Sequence, residues 1–265
     1  MTSIASSPFM VGTALSKAFE TIFRNIVSFG IIALLLTAPI FLLDLASYQS
    51  SYEVQQPATD PDSPNNPEMA NEYTWSVQSG VVYSGYGAVL YCLAWGLATA
   101  AMSYGTYESL RGRPASLAQC LKKGLPLIIP AIVIVILWGL AVIAGFLLLV
   151  VPGVILATIW YVIIPVAVVE RPGIVAAFSR SAELTRGNRW RVFGIMLVVG
   201  AITWVINLLA GFMSLFGNAS AVSLASWIAA AATLVIGSVV VAVVYYYLRI
   251  AREGGSIEDI AAVFD

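Results

Sequence analysis

LPLIIPAIVIVILWGLAVIAGFLLLVVPGVILATIWYVIIPVAVV, residues 125–169, contains no charged side chain. As one helix rising about 1.5 Å per residue, this stretch would be roughly 65 Å long, about twice the hydrocarbon thickness of a bilayer. It must therefore fold back. The break signal near its middle is Val150-Val151-Pro152-Gly153-Val154, whose Pro-Gly dipeptide marks a turn. The stretch is expected to form a membrane hairpin of two helices, about 126–149 and 153–169, with almost no exposed loop.

The rest of the chain has the same character. Its 265 residues are 60% hydrophobic and only 10% charged, whereas soluble domains run near a quarter charged. A water-soluble fold of this composition would expose large apolar patches, so lipid is the expected solvent. Four more spans are read at about 26–46, 80–106, 192–216 and 224–248, giving six in a single membrane domain over 1–265. Pro39 and Pro165 fall inside spans, where neighbouring helices can satisfy freed backbone groups. The first span is expected to be an anchor and not a cleaved signal. A signal core is about 7–15 residues behind a basic start, but here the first cation is Lys17 and the apolar run is longer.

Orientation follows from the cations. Lys17 and Arg24 precede span one. Arg111, Arg113, Lys122 and Lys123 lie between spans two and three, and Arg171, Arg180, Arg186, Arg189 and Arg191 between four and five. Arg249 and Arg252 follow span six. Together they are all 13 Lys and Arg of the chain, and the other side has none. The positive-inside bias places both termini in the cytoplasm, in a multi-pass protein of the bacterial inner membrane. On the opposite side an acidic, proline-stiffened loop is expected over 48–79. Asp60, Asp62 and Glu68 resemble a calcium loop in part, but Pro64 stands where a ligand belongs and Asn65 where glycine does, so a solvated loop is the expectation.

The cation-rich segments repeat. ALSKAFETIFRNIVSFG (14–30) aligns with AFSRSAELTRGNRWRVFG (177–194) with one residue inserted, sharing Ala14/Ala177, Ser16/Ser179, Lys17/Arg180, Glu20/Glu183, Asn25/Asn188 and Phe29-Gly30/Phe193-Gly194. Ser116 with Gln119 forms a capping box, and Ser256 with Asp259 a weaker one. The chain thus reads as three units of interfacial helix plus hairpin, with short amphipathic helices near 8–24, 115–123, 173–186 and 256–264 on the cytoplasmic side. In 173–186, Pro172 suits the first turn, Ile174, Val175, Phe178 and Ala182 form the apolar face, and Ser179, Arg180, Glu183 and Arg186 the polar one, with Ser181 and Thr185 nearer the apolar side. Gly187 suits a helix stop and Asn188 a cap for the next helix. Arg180, Arg186, Arg189 and Arg191 with Ser179 are the candidate contacts to anionic phospholipid, and Trp190 suits headgroup level.

VVERPGIVAAFSRSAELTRGNRWRVFG (168–194) together with YYYLRIAREGGSIEDIAAVFD (245–265) resembles the six-span membrane domain of some bacterial glycerophosphoryl diester phosphodiesterases, which also occurs alone. The resemblance is strongest over about 165–265 and implies a membrane protein linked to lipid or glycerophosphodiester metabolism. The enzyme's activity belongs to a separate barrel using histidines, carboxylates and a divalent metal. This chain has no histidine, so no position here matches those residues.

Other chemistry is absent. Two cysteines make no disulfide framework or zinc pattern. Asp44 and Glu170 lie at span ends, so no acid sits near the midplane as ion-coupled transport usually requires. Asn207 reads as interhelical glue, and Gly96, Ala100 and Ser103 as a close-packing face. The expectation is a non-catalytic membrane module, with no cofactor, metal or nucleic acid, that scaffolds a protein partner or binds anionic phospholipid at the cytoplasmic leaflet. The alternative is a passive or lipid-type transporter; a continuous polar cavity would favour transport, and a dry apolar core the module. For the topology, a cysteine placed at Ser63 should react with an impermeant maleimide on intact cells and one at Ser256 should not; labelling of Ser63→Cys only after lysis would reverse the assignment.

Overall fold

The computed structural model of the protein describes residues 10–54, 67–110, 116–124, 128–213 and 219–253. Its elements are α1 (Val11–Arg24), α2 (Ile26–Val54), α3 (Pro67–Leu110), α4 (Leu117–Gly124), α5 (Ile128–Leu148), α6 (Val150–Ile159), α7 (Ile163–Val169), α8 (Ile174–Thr185), α9 (Arg189–Phe212) and α10 (Ala219–Glu253), with no strand among the described residues. Six stretches among them are long and apolar enough to cross a bilayer: Ile26–Leu43, Gly85–Leu110, Ile129–Leu148, Val150–Val169, Arg189–Phe212 and Ala221–Glu253. The protein is an all-α, multi-pass membrane protein.

The loop expected over 48–79 is much shorter. α2 continues to Val54 and α3 already begins at Pro67, where proline is tolerated because the first helical N–H needs no intrahelical partner. What is left of the loop, 55–66 with Asp60 and Asp62, lies outside the described residues, and Glu68 falls in the first turn of α3. The expected helix 256–264 also lies outside them.

The hairpin break falls a few residues earlier than Pro-Gly. Leu149 is the extended residue (φ −168°, ψ 155°), and Pro152 sits in the first turn of α6. Gly153 is needed for closeness instead. A Cβ there would lie 2.6 Å from the Phe146 ring, and one at Gly145 would lie 2.9 Å from the Gly153 Cα. α5 and α6 thus touch backbone to backbone beside their turn, the small-residue packing that membrane helices use. Gly96 serves α3 in the same way, since a Cβ would lie 2.5 Å from a Val135 methyl of α5; Ala100 and Ser103 are buried on the same helix.

The second hairpin returns in two pieces. Pro165 has no N–H for the carbonyl four residues back and its ring crowds that carbonyl, so the helix opens over Trp160–Val162 between α6 and α7. Ile163 N–H turns to the Trp160 carbonyl (3.2 Å).

The three-unit reading of the chain has a structural counterpart. Each interfacial helix precedes its hairpin: α1 before α2–α3, α4 before α5–α6–α7, α8 before α9–α10. α1 buries Ala14, Ala18, Thr21 and Ile22, and α8 buries Ala177, Ser181, Leu184 and Thr185, the same four positions at a constant offset. Asn25 and Asn188 occupy matching junctions with nearly the same backbone, φ −119°, ψ 22° and φ −118°, ψ 12°. Packing is cyclic. α4 rests on α3, α8 on α7 and α1 on α10, so each interfacial helix seats on the last helix of the unit before it, and α1 closes the ring. Hairpins follow the same order, with α3 against α5, α6 against α9 and α10 against α2.

α10 is the most enclosed of the six spans. Val239 to Tyr246 are all buried, and several of its polar groups are met across the bundle. Ser238 pairs with Thr99 of α3 (3.1 Å), Tyr246 Oη donates to the Ser103 carbonyl (3.1 Å), and Trp227 Nε1 donates to Thr37 of α2 (3.0 Å) while stacking on Phe41. α9 is the most lipid-exposed span. Gly153→Val should therefore lower thermal stability strongly, by about 1–3 kcal/mol or more as overpacking does. Gly200→Ala, where a Cβ meets nothing within 4 Å, should leave it unchanged. Thermal unfolding in detergent measures both.

Candidate functional site

The arginine-rich segment begins where the charge-free run ends. α7 stops at Val169, and the chain reverses through Glu170, Arg171, Pro172 and Gly173, with Arg171 (φ 49°) and Gly173 (φ 94°) in the left-handed region. For arginine that conformation costs roughly 1–2 kcal/mol. Pro172 thus precedes α8 instead of opening its first turn as expected. The reversal lays α8 along α7, with Ile174 and Phe178 against the core and Phe178 edge-on to Trp160 (5.0 Å).

The buried face of α8 is the expected one only in part, with Ile174, Phe178 and Ala182 partly buried. Val175 is 83% exposed, while Ser181 and Thr185 are fully buried. Ser181 Oγ donates to the Ile159 carbonyl (3.1 Å), whose helical donor was diverted at the break, and Thr185 Oγ1 lies within donating distance of both that carbonyl (3.1 Å) and the Ser181 carbonyl one turn back (3.0 Å). A larger aliphatic side chain at either position could not cover that oxygen.

Arg180 leads a closed ring of five side chains joining three elements. Its Nε donates to Glu170 Oε2 (2.7 Å) and its Nη2 to Glu253 Oε1 of α10. Glu253 Oε2 accepts from Arg249 Nε (2.9 Å), and Arg249 Nη1 donates to Tyr245 Oη (3.1 Å). Tyr245 Oη donates to Glu170 Oε1 (3.0 Å) and closes the circuit. Arg180 also reaches Glu183 (3.2 Å). Partial burial works against the charge of Arg180, but the carboxylates of Glu170, Glu253 and Glu183 hold its pKa above the ordinary arginine range. Sequence reasoning placed Arg180 among the lipid contacts and missed the other members. Their signal was the spacing of Tyr245, Arg249 and Glu253, one above another on a helix face.

The remaining candidates stay open. Ser179 is exposed and bonds to the Ala176 carbonyl (2.9 Å). Arg186, Arg189 and Arg191 are exposed around the α8–α9 junction and form no ion pair among the described residues. Gly187 (φ 89°) makes the expected stop. Asn188 occupies the cap position without a side-chain cap; its Oδ1 instead accepts from Arg191 Nη1 (3.0 Å). Trp190, 85% exposed, stands between the arginines, edge-on to Phe193. Asn207 bonds to the Thr203 carbonyl (2.7 Å) and to Thr233 of α10 (3.4 Å), an interhelical contact as expected. Cys120 is buried in α4, and burial pushes its thiol up to about 11, so it stays protonated and a poor nucleophile at neutral pH.

Because Ser181 and Thr185 cover one carbonyl, Ser181→Ala alone should cost little. The double variant Ser181→Ala/Thr185→Val should cost about 1–3 kcal/mol, the penalty of an unmet buried acceptor. Thermal unfolding of wild type, singles and double gives that non-additivity; additive effects would show that the hydroxyls act separately.

No curated protein and no solved structure matches the chain. A family model described as a domain of unknown function, DUF7847, matches residues 9–251, nearly the whole chain, and the protein belongs to that family.

Proposed function

We propose that the protein is a non-catalytic module of the bacterial inner membrane that binds anionic phospholipid at the cytoplasmic leaflet through the α8–α9 corner. The observation that carries this reading is the division among the arginines. Arg180 is consumed by the ring, whereas Arg186, Arg189 and Arg191 present guanidinium groups beside exposed Trp190, where α9 begins its span. Tryptophan favours the headgroup level. Each cation near an anionic leaflet contributes about 1 kcal/mol, and a guanidinium can grip two phosphate oxygens where an ammonium offers a point charge. Ser179 lies on the same exposed side of α8 and adds a hydroxyl. The resemblance to the phosphodiesterase membrane domain supports a lipid setting.

The interior supports a module over a conduit. Among the described residues no charged side chain is fully buried, and the buried positions are chiefly Ala, Val, Ile and Leu. Buried hydroxyls such as Thr37, Thr99 and Thr158 bond to carbonyls of their own helices.

The test is native mass spectrometry with matched phosphatidylglycerol, cardiolipin and phosphatidylcholine. Wild type should retain the anionic lipids preferentially. Arg186→Lys/Arg189→Lys/Arg191→Lys, which keeps the charge but removes the forks, should lose most of that preference while Arg180 still secures α8. Equal retention by both would reduce the corner to a topological anchor.

A further inference from the structure

The turn between α5 and α6 is built unlike a water-facing loop. Leu147, Leu148, Leu149, Val150 and Val151 follow one another without interruption, are all aliphatic, and are each 66–83% exposed. No charged residue occurs from 125 to 169, so neither flank holds this tip in water. The backbone of the turn is met in part, leaving the Val150 and Val151 N–H groups and the Phe146, Leu147 and Leu148 carbonyls without a backbone partner among the described residues at the very tip. Leu149 N–H donates to the Gly145 carbonyl (3.1 Å), Gly153 N–H to the Leu149 carbonyl (3.4 Å), and Pro152 has no N–H to satisfy. The Gly145–Gly153 contact keeps both helices together right up to the turn, which leaves a narrow tip with no loop to project.

Depth agrees. α5 has 21 residues, about 31 Å of helix, close to the hydrocarbon thickness. The tip therefore ends near the far acyl boundary, and no polar side chain draws it further. The first hairpin is different, since α2 and α3 both continue beyond their apolar spans.

We infer that the Leu147–Val151 tip is a lipid-binding surface whose aliphatic side chains lie among the acyl chains of the leaflet opposite the arginine-rich end, uncovered by protein, with the turn's unmet backbone groups at the acyl boundary. Its partner is the hydrocarbon of that leaflet. The inference stands apart from the anionic-lipid corner, which lies at the other end of the bundle and recognises headgroups.

Power-saturation electron paramagnetic resonance separates the alternatives. Nitroxides are attached to Leu147→Cys, Leu149→Cys and Val151→Cys, each in a Cys92→Ser/Cys120→Ala background, in vesicles of phosphatidylethanolamine and phosphatidylglycerol. Ser116→Cys, exposed at the arginine-rich end, serves as the aqueous reference. A variant that does not elute with the wild type is replaced by Leu148→Cys. At the tip, collisions with oxygen, which partitions into acyl chains, should exceed those with a water-soluble nickel chelate several-fold, with the order reversed at Ser116→Cys. A tip reached mainly by the nickel chelate lies in water and overturns the inference. A tip shielded from both reagents is covered by protein, a second copy included, and overturns it as well.

Discussion

One backbone carbonyl shows the constraint under which this fold is built. In hydrocarbon an unpaired C=O has no water to turn to, so each must be met from within the protein. Where the return helix of the second hairpin opens ahead of Pro165, the Ile163 N–H that a continuous helix would give to Ile159 goes to Trp160 instead. The Ile159 oxygen is met by Ser181 of α8, with Thr185 within reach. α8 is therefore more than an amphipathic helix resting on a leaflet: it supplies the groups that make the break tolerable, and its small hydroxyl-bearing face follows from that duty.

That duty fixes what the neighbouring charges can do. With α8 laid along α7, Arg180 lies beside Glu170 and the end of α10, and the ring through Glu253, Arg249 and Tyr245 closes. Two guanidiniums against two carboxylates leave the circuit neutral, apart from Glu183 at its exposed margin. An arginine so enclosed has little left to offer a ligand. Arg186 at the C-terminus of α8, and Arg189 and Arg191 beyond the Gly187 turn, are exposed. One stretch thus divides into a half tied into the fold and an exposed half, the one proposed to meet lipid.

The cyclic order of packing gives the repeat a physical meaning. An interfacial helix cannot bury its small-residue face alone, and each finds its seat on the last helix of the unit before it. α1 of the first unit takes its seat on α10, the last helix of the third. This closure places α10 at the centre with α2 and α3 against it, and leaves α9 on the outside with most of its surface for lipid.

Much of this was legible in the sequence because lipid imposes it residue by residue. Apolar length gave six spans, and the repeat of ALSKAFET and AFSRSAEL gave the interfacial helices, since composition and period do not depend on which neighbour arrives. Side-chain partners were another matter. Gly153 read as a turn residue, but it is small because Phe146 and Gly145 press on it, and Ser181 and Thr185 read as flaws in an apolar face until the Ile159 carbonyl lay opposite. Arg180 was indistinguishable from Arg186 by type; what separates them is that Glu253, distant in sequence, comes to lie beside only one. Sequence alone determined which segments dissolve in a bilayer, because transfer from water is a property of the segment. Tertiary structure alone decided which polar groups pair, because a hydrogen bond depends on where two chemically ordinary residues are brought together.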